Sequence, residues 1–100
     1  MILKKPAVCG TLESSDVRIM AEPNDGQGIE IRIESAVKAM FGEAIEESIR
    51  EVLQNFEVSD AKISVFDRGA LDFTIRARME CVLCRAAEVR YDWAREDQND

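Results

Sequence analysis

The part of this 100-residue sequence richest in potential chemistry is a short polar segment near its start. Residues 10–16 read Gly-Thr-Leu-Glu-Ser-Ser-Asp, which brings two hydroxyl groups and two carboxylates together. Such segments commonly form turns in which side-chain oxygens accept hydrogen bonds from nearby backbone N–H groups. A serine nucleophile needs a base within hydrogen-bond distance, and the chain contains no histidine. The segment therefore fits a structural turn, or an exposed serine that another enzyme modifies.

Three cysteines are the next candidates for chemistry. Cys81 and Cys84 form a C-x-x-C pair, and Cys9 lies far from them in the sequence. The pair falls inside a predicted helix, whereas a redox pair sits at a helix N-terminus, where the dipole lowers the thiol pKa. A structural zinc site takes about four ligands, and three thiols without a histidine do not complete it. We interpret the cysteines as packing residues with free thiols, and we expect no metal site.

The excess of acidic over basic residues argues against nucleic acid as a partner. Thirteen basic and twenty acidic residues give a net charge of −7, and no basic face for nucleic acid is apparent. No apolar run approaches the ~18 residues of a membrane span, and the N-terminus does not resemble a secretory signal, so we expect a cytoplasmic protein. The acidic side of the predicted long helix is either a solvated face or a docking surface for a basic partner. It carries Glu43, Glu46, Glu47 and Glu51.

Alternating apolar and polar residues predict two strands, at residues 17–22 and 29–33, separated by a turn signal at 23–28. We expect these strands to form an antiparallel hairpin. An amphipathic pattern then predicts a helix over residues 37–56, with Ser35 as its N-cap. Gly42 within that helix permits a close approach to the sheet or marks a kink.

The second half of the chain repeats the same types of pattern. Alternation predicts a third strand beginning at Ile63 and Val65, and a fourth at residues 71–75 after a turn at 67–69. From about residue 77 to 86 the period becomes helical. The expected fold is α+β, with an antiparallel sheet of three to four strands and two helices packed on one face, as in ferredoxin-like or related two-layer sandwiches.

The chain is long enough for one domain only, which we place at residues 1–88. Residues 89–100 are charged and aperiodic, and we expect a partly disordered tail with Tyr91 and Trp93 as its possible anchors.

Several separated motifs make the sequence similar to the acyl carrier proteins of citrate lyase, the gamma subunits of that complex. The polar segment with its following valine, residues 10–17, resembles the loop that bears the prosthetic group in this family. The resemblance continues in Phe-Gly-Glu-Ala-Ile at 41–45, Asp-Arg-Gly-Ala-Leu-Asp at 67–72 and Arg-Ala-Arg at 76–78. It extends over residues 6–86 in order. It does not include the tail, and Arg68 stands where the family often has lysine.

The resemblance implies a carrier subunit that is not itself a catalyst. It implies that Ser14 is joined through a phosphodiester to 2′-(5″-phosphoribosyl)-3′-dephospho-CoA, whose thiol holds acetyl and citryl groups while citrate is cleaved to acetate and oxaloacetate. Ser14 is favoured over Ser15 because some family members have glycine at the second position. The implied partners are the alpha subunit, an acyl transferase, the beta subunit, a citryl lyase, and a prosthetic-group transferase. No nucleic acid or membrane partner is implied.

Two other functions fit the residues alone. One is a small acidic ferredoxin-like interaction domain without a prosthetic group, which would use the acidic helix. The other is an enzyme that uses the C-x-x-C pair for redox chemistry. These alternatives differ from a carrier in their covalent state, because only a carrier bears a large adduct on a serine.

Overall fold

The computed structural model describes residues 1–35 and 37–90, and within them the chain forms four strands and two helices. In chain order these are β1 (Ala7–Gly10), β2 (Val17–Glu22), β3 (Ile29–Ser35), α1 (Lys38–Asn55), β4 (Ala61–Asp67) and α2 (Asp72–Ala87). No helix in the described part is long and apolar enough to cross a membrane. The expected anchors Tyr91 and Trp93, with most of the expected tail, lie outside the described residues.

The four strands form one mixed sheet in the order β1-β2-β4-β3. The β1–β2 and β2–β4 pairs are antiparallel, and the β3–β4 pair is parallel. Both helices pack on one face, α2 against β1 and β2, and α1 against β3 and α2. The predicted α+β class with two helices on one sheet face is confirmed, although one of the three strand pairs is parallel.

The apolar residues of one sheet face and of the two helices form a single core. Within the sheet, alternate residues are buried and their neighbours are exposed or half-exposed, which is the period expected of strands with one dry face. The largest fully buried side chains are Ile19, Ile49, Ile63, Met79, Leu83, Val17, Val65 and Val82.

The predicted hairpin between β2 and β3 is wrong, because β4 lies between these two strands and pairs with both. The intervening turn does not close a two-strand ladder. The Gly28 carbonyl instead accepts a hydrogen bond from the Ala61 N–H at 3.0 Å, and the Gly28 N–H donates to the Asp60 carboxylate at 2.9 Å. These contacts join the start of β3 to the start of β4. Alternation identified the two strands, but it carried no information about their partners.

The predicted fourth strand at residues 71–75 is also wrong, because α2 begins at Asp72. A strand would place Leu71, Phe73 and Ile75 on one buried face. Leu71 and Phe73 are instead 64% and 70% exposed. Ile75 and Met79 are buried instead, with the i, i+4 spacing of a helix. Asp72 lies in the first turn, where a negative charge favours helix formation.

Helix α1 is confirmed, and it continues through Gly42. Its N-cap position is Val37, which provides no side-chain cap, and Ser35 is the last residue of β3. The Ser35 hydroxyl still accepts a hydrogen bond from the Val37 N–H at 3.1 Å and donates to Asp67 at 2.7 Å. Ser35 therefore supports the helix start from two positions before the N-cap.

At position 10 the chain passes so close to the Val17 carbonyl that only glycine fits. Its φ is +90°, and a Cβ built there lies 1.8 Å from the Val17 carbonyl oxygen. We expect Gly10→Ala to lower the free energy of unfolding by more than about 3 kcal/mol, because the β1–β2 pair must separate to make room. Urea denaturation monitored by circular dichroism measures this change.

Gly26→Ala is the matched control. Gly26 has a φ of +72° but no atom within 4 Å of the added Cβ. It should therefore cost only the backbone strain, about 1–2 kcal/mol. Equal losses in the two variants would contradict the steric role of Gly10.

Candidate functional site

The polar segment forms a six-residue loop, residues 11–16, between β1 and β2. It lies where β2 begins and β4 ends, because Val17 is opposite Asp67 in the sheet register. Both helices start at this same end of the molecule, since α1 follows β3 directly and α2 follows β4 after a short turn. The topology therefore brings the loop, the β4–α2 turn and the two helix N-termini to one end.

Asp16 is the residue that organises the loop. Its carboxylate accepts hydrogen bonds from the Thr11 hydroxyl at 2.7 Å, the Thr11 N–H at 3.2 Å and the Val17 N–H at 2.7 Å. It also receives Nε and Nη2 of Arg78, each at 3.2 Å. One side chain thus joins both ends of the loop to helix α2.

These contacts set the ionisation of Asp16. The hydrogen bonds from the Thr11 hydroxyl and the Val17 N–H, with a smaller contribution from Arg78, lower the pKa of Asp16 from 3.8 to about 2. Partial burial of the carboxyl group acts in the opposite direction. The loop is therefore built around a carboxylate that stays ionised throughout the physiological range.

Backbone contacts attach the loop to the β4–α2 turn. The Ser15 N–H donates to the Arg68 carbonyl at 2.8 Å, and the Arg68 N–H donates to the Asp16 carbonyl at 2.9 Å. The turn is held in place by Asp67, a buried residue that accepts from the Ala70 N–H at 2.9 Å. The predicted turn at residues 67–69 is therefore present, and it supports the loop.

Ser14 and Ser15 are both exposed, but they differ in how they are held. Ser15 has a φ of 66° in the left-handed region, which favours glycine, and its N–H is engaged by Arg68. Within residues 1–35 and 37–90, Ser14 makes no hydrogen bond through its hydroxyl or its backbone. The exposure expected of Ser14 is observed, while its modification stays a prediction.

The structure identifies three loop-shaping residues that no local sequence pattern singles out. Thr11, Arg68 and Arg78 all lie in motifs that carried the family resemblance, but nothing in their local patterns indicated that they meet. Arg78 is 62 residues from Asp16 in the chain. The only local signal was that an acidic residue closes a segment of serines and threonines, which is typical of side-chain-capped turns.

The cysteines lie in and around the hydrophobic core, and burial outweighs the charges of Arg85 and Arg78, which act to lower the pKa of Cys9. Cys9 and Cys84 are buried, and Cys81 is half-buried in the middle of α2. Burial, followed by a hydrogen bond to Cys81, raises the pKa of the Cys9 thiol, and burial raises that of Cys84. In the described residues, no group of three or more histidine, cysteine, aspartate or glutamate side chains is placed to hold a metal ion.

The acidic side of α1 is partly used in ion pairs. Glu46 pairs with Arg50 at 3.0 Å in an i, i+4 arrangement, and Glu51 receives Arg76 of α2 at 2.6 Å. Arg76 also donates to Asp72, which accepts a further hydrogen bond from the buried Ser48 of α1. These contacts fix the two helices to each other.

Residues 4–86 match the protein family described as "ACP: Malonate decarboxylase delta subunit (MdcD)", and this chain belongs to that family of acyl carrier proteins. The citrate lyase acyl carrier protein of Streptococcus mutans is 45% identical over 94 residues, which cover 93% of this chain and 92% of the relative. The citrate lyase acyl carrier protein of Clostridium perfringens is 44% identical over 94 residues, or 93% of each chain.

A solved structure supports the fold independently of close sequence similarity. A chain in the crystal structure of a Pseudomonas malonate decarboxylase hetero-tetramer in complex with malonate superposes with a TM-score of 0.71. The alignment covers 86% of this chain and 92% of that chain at 18% identity, so it supports the architecture alone.

We expect Asp16→Asn to lower the free energy of unfolding by about 1–3 kcal/mol at pH 7, because an amide nitrogen cannot accept the bonds that the second carboxylate oxygen accepts. Folding lowers the pKa of Asp16, so the unfolded chain holds more protons at acid pH, and the ionised form stabilises the fold. The difference between wild type and variant should therefore be complete above about pH 4 and fade as the pH falls through about 2. Urea denaturation across this pH range measures it.

Asp25→Asn provides the control, because Asp25 is exposed in the β2–β3 turn. It should change the free energy of unfolding by no more than about 0.5 kcal/mol. A loss for Asp16→Asn that is independent of pH would contradict the assigned role of its charge.

Proposed function

We propose that this chain is the acyl carrier subunit of citrate lyase and that Ser14 carries the prosthetic arm. The proposal is supported chiefly by the curated relatives, which are named citrate lyase acyl carrier proteins at 44–45% identity over 93% of the chain. The similarity to the malonate decarboxylase chain is much lower, at 18%. Identity at this level favours citrate lyase over malonate decarboxylase as the parent complex.

The geometry at Ser14 fits a bulky covalent group. Its side chain is exposed at the loop tip, and its hydroxyl is engaged by no other residue of the described chain, so a phosphodiester forms there without breaking an intramolecular bond. Arg68, whose backbone contacts the loop, has an exposed side chain with no ion pair in the described part. A guanidinium at this turn offsets the negative charge that a phosphodiester introduces.

The proposed arm is 2′-(5″-phosphoribosyl)-3′-dephospho-CoA, whose terminal thiol supplies the acetyl and citryl thioesters on which citrate cleavage depends. The residues of this chain hold and present the attachment point. Asp16, Thr11 and Arg78 fix the base of the loop, and Ser14 projects from it. A tether of this kind raises the effective concentration of the acyl group at each partner site, because the acyl donor and its acceptor stay in one assembly.

The proposed partners follow from this role. A prosthetic-group transferase modifies Ser14, the alpha subunit exchanges acetyl for citryl, and the beta subunit cleaves the citryl group to oxaloacetate. The carrier itself is not a catalyst in this scheme, and we place the complex in the cytoplasm. The cysteines take no part, since burial raises the pKa of two of the three thiols and so lowers their nucleophilicity near neutral pH.

Ser14→Ala should abolish attachment of the arm, because alanine has no hydroxyl to enter the phosphodiester, and citrate cleavage by the assembled complex should fall to background. Intact-mass spectrometry after incubation with the transferase and the prosthetic-group precursor measures the adduct. The fold should be unchanged, since the hydroxyl makes no contact in the described structure.

Ser15→Ala is the matched control, one position further along the same exposed loop. It should retain the full adduct. Normal loading of Ser14→Ala together with loss of loading in Ser15→Ala would move the attachment site to Ser15. Absence of any serine-linked adduct in the wild-type chain under these conditions would contradict the carrier function.

A variant with Cys9, Cys81 and Cys84 all replaced by alanine should still accept the arm. We expect it to lose about 1–3 kcal/mol of stability through lost packing. After loading, a thiol reagent should titrate one thiol per chain, that of the arm, and none before loading. Loss of loading in a variant that remains folded would show that a cysteine takes part.

A further inference from the structure

An open groove of 970 Å³ lies between strand β3 and helix α1. Its floor includes the half-buried Ile31 and the buried Ile33, and its α1 wall includes Gly42, Glu43 and Glu47. We call this feature the edge groove, and it lies apart from the Ser14 loop, which joins the two strands at the other side of the sheet.

The edge groove runs along an unpaired sheet edge, because β3 is the last strand in the order β1-β2-β4-β3. The Gly28 carbonyl accepts a hydrogen bond from the Ala61 N–H, and this bond determines which residues of β3 face β4 with their backbone groups. Even-numbered residues of β3 therefore direct their N–H and C=O groups toward β4. Odd-numbered residues, Ile29, Ile31 and Ile33, direct theirs toward the open edge. Such an edge is a template for the addition of another strand.

The charges of the groove indicate which strand fits. Glu46 and Glu51 are neutralised by Arg50 and Arg76. Glu43 and Glu47 are exposed and take part in no ion pair in the part of the chain that the structure describes. The α1 wall therefore presents two uncompensated carboxylates above Ile31 and Ile33. Arg32 also lines the groove, but it alternates with these two residues along β3, so its side chain belongs to the opposite face of the sheet.

We propose that the edge groove accepts an extended segment of a partner protein as a fifth strand, with lysine or arginine side chains facing Glu43 and Glu47. Alternate side chains of an added strand point to opposite faces, so every second residue would meet α1. A second copy of this chain is disfavoured as the occupant, because its own β3 edge would bring a second set of the same carboxylates into the groove. The ten C-terminal residues carry four carboxylates and one arginine, so they have the wrong charge as well. This inference does not depend on the arm or on Ser14.

The first test uses the unmodified protein and two synthetic octapeptides, one alternating valine with lysine and the other alternating valine with glutamate. NMR monitors the binding of each peptide. The lysine peptide should shift the amide signals of residues 29–35 together with those of Glu43 and Glu47, and the glutamate peptide should not. On saturation, the amides of Ile31 and Ile33 should exchange with solvent at least tenfold more slowly. Those of Arg32 and Glu34, already directed toward β4, should change little.

The second test replaces charges. Glu43→Lys/Glu47→Lys should weaken binding of the lysine peptide at least tenfold. Glu22→Lys/Asp25→Lys makes the same change of charge at exposed residues beyond the groove, and it should alter affinity by less than twofold. Circular dichroism and thermal unfolding confirm that both variants fold.

Four results would overturn the proposal. These are no binding of the lysine peptide, equal binding of both peptides, equal weakening by the two double variants, and shifts centred outside the edge groove. Slower exchange of Ile31 and Ile33 with rising protein concentration alone, together with a dimer in analytical ultracentrifugation, would assign the edge to a second copy instead. Loading of Ser14 is unaffected in every case, so this test and that of the carrier function fail independently.

Discussion

The carboxylate of Asp16 receives hydrogen bonds from the first residue of its loop, from the strand that follows and from a helix 62 residues away. Without this anion the loop between β1 and β2 would keep its backbone bonds to the β4–α2 turn but would lose the bonds from Thr11, Val17 and Arg78. With it, the loop has a fixed base and a free tip. The lowered pKa of Asp16 follows from the same arrangement, since the Thr11 hydroxyl, the Val17 N–H and Arg78 all favour the charged form of its carboxyl group.

Strand β4 has the corresponding role in the scaffold. It pairs with β2 on one side and β3 on the other, and its last residue, Asp67, holds both the Ser35 hydroxyl and the Ala70 N–H. The end of this one strand therefore adjoins the start of both helices and supports the turn to which the loop is bonded. The loop tip is free to take part in chemistry because the neighbouring turn is fixed.

Local pattern was sufficient for some parts of this structure and not for others. The 3.6-residue period of α1 and the alternation of β2 and β3 were predicted, because each depends only on which residues become buried. Strand partners were not predictable in this way, and the β2–β3 hairpin failed because a later segment supplied β4. Residues 71–75 alternate over too few positions to separate strand from helix, and the helix buries Ile75 while leaving Phe73 exposed. Ser14 was reached through a resemblance of motifs, whereas its supports Arg68 and Arg78 required the tertiary structure.

The contact between Arg78 and Asp16 has a consequence for the order of events in the life of the chain. A chain that has emerged only as far as β4 lacks Arg78, and so Asp16 has not yet acquired the two hydrogen bonds that join its loop to α2. The loop reaches its final form only when α2 has docked against β1 and β2. If the loop is modified as proposed, an enzyme that recognises the shape of the loop, and not merely its sequence, would act on completed molecules and pass over unfinished ones.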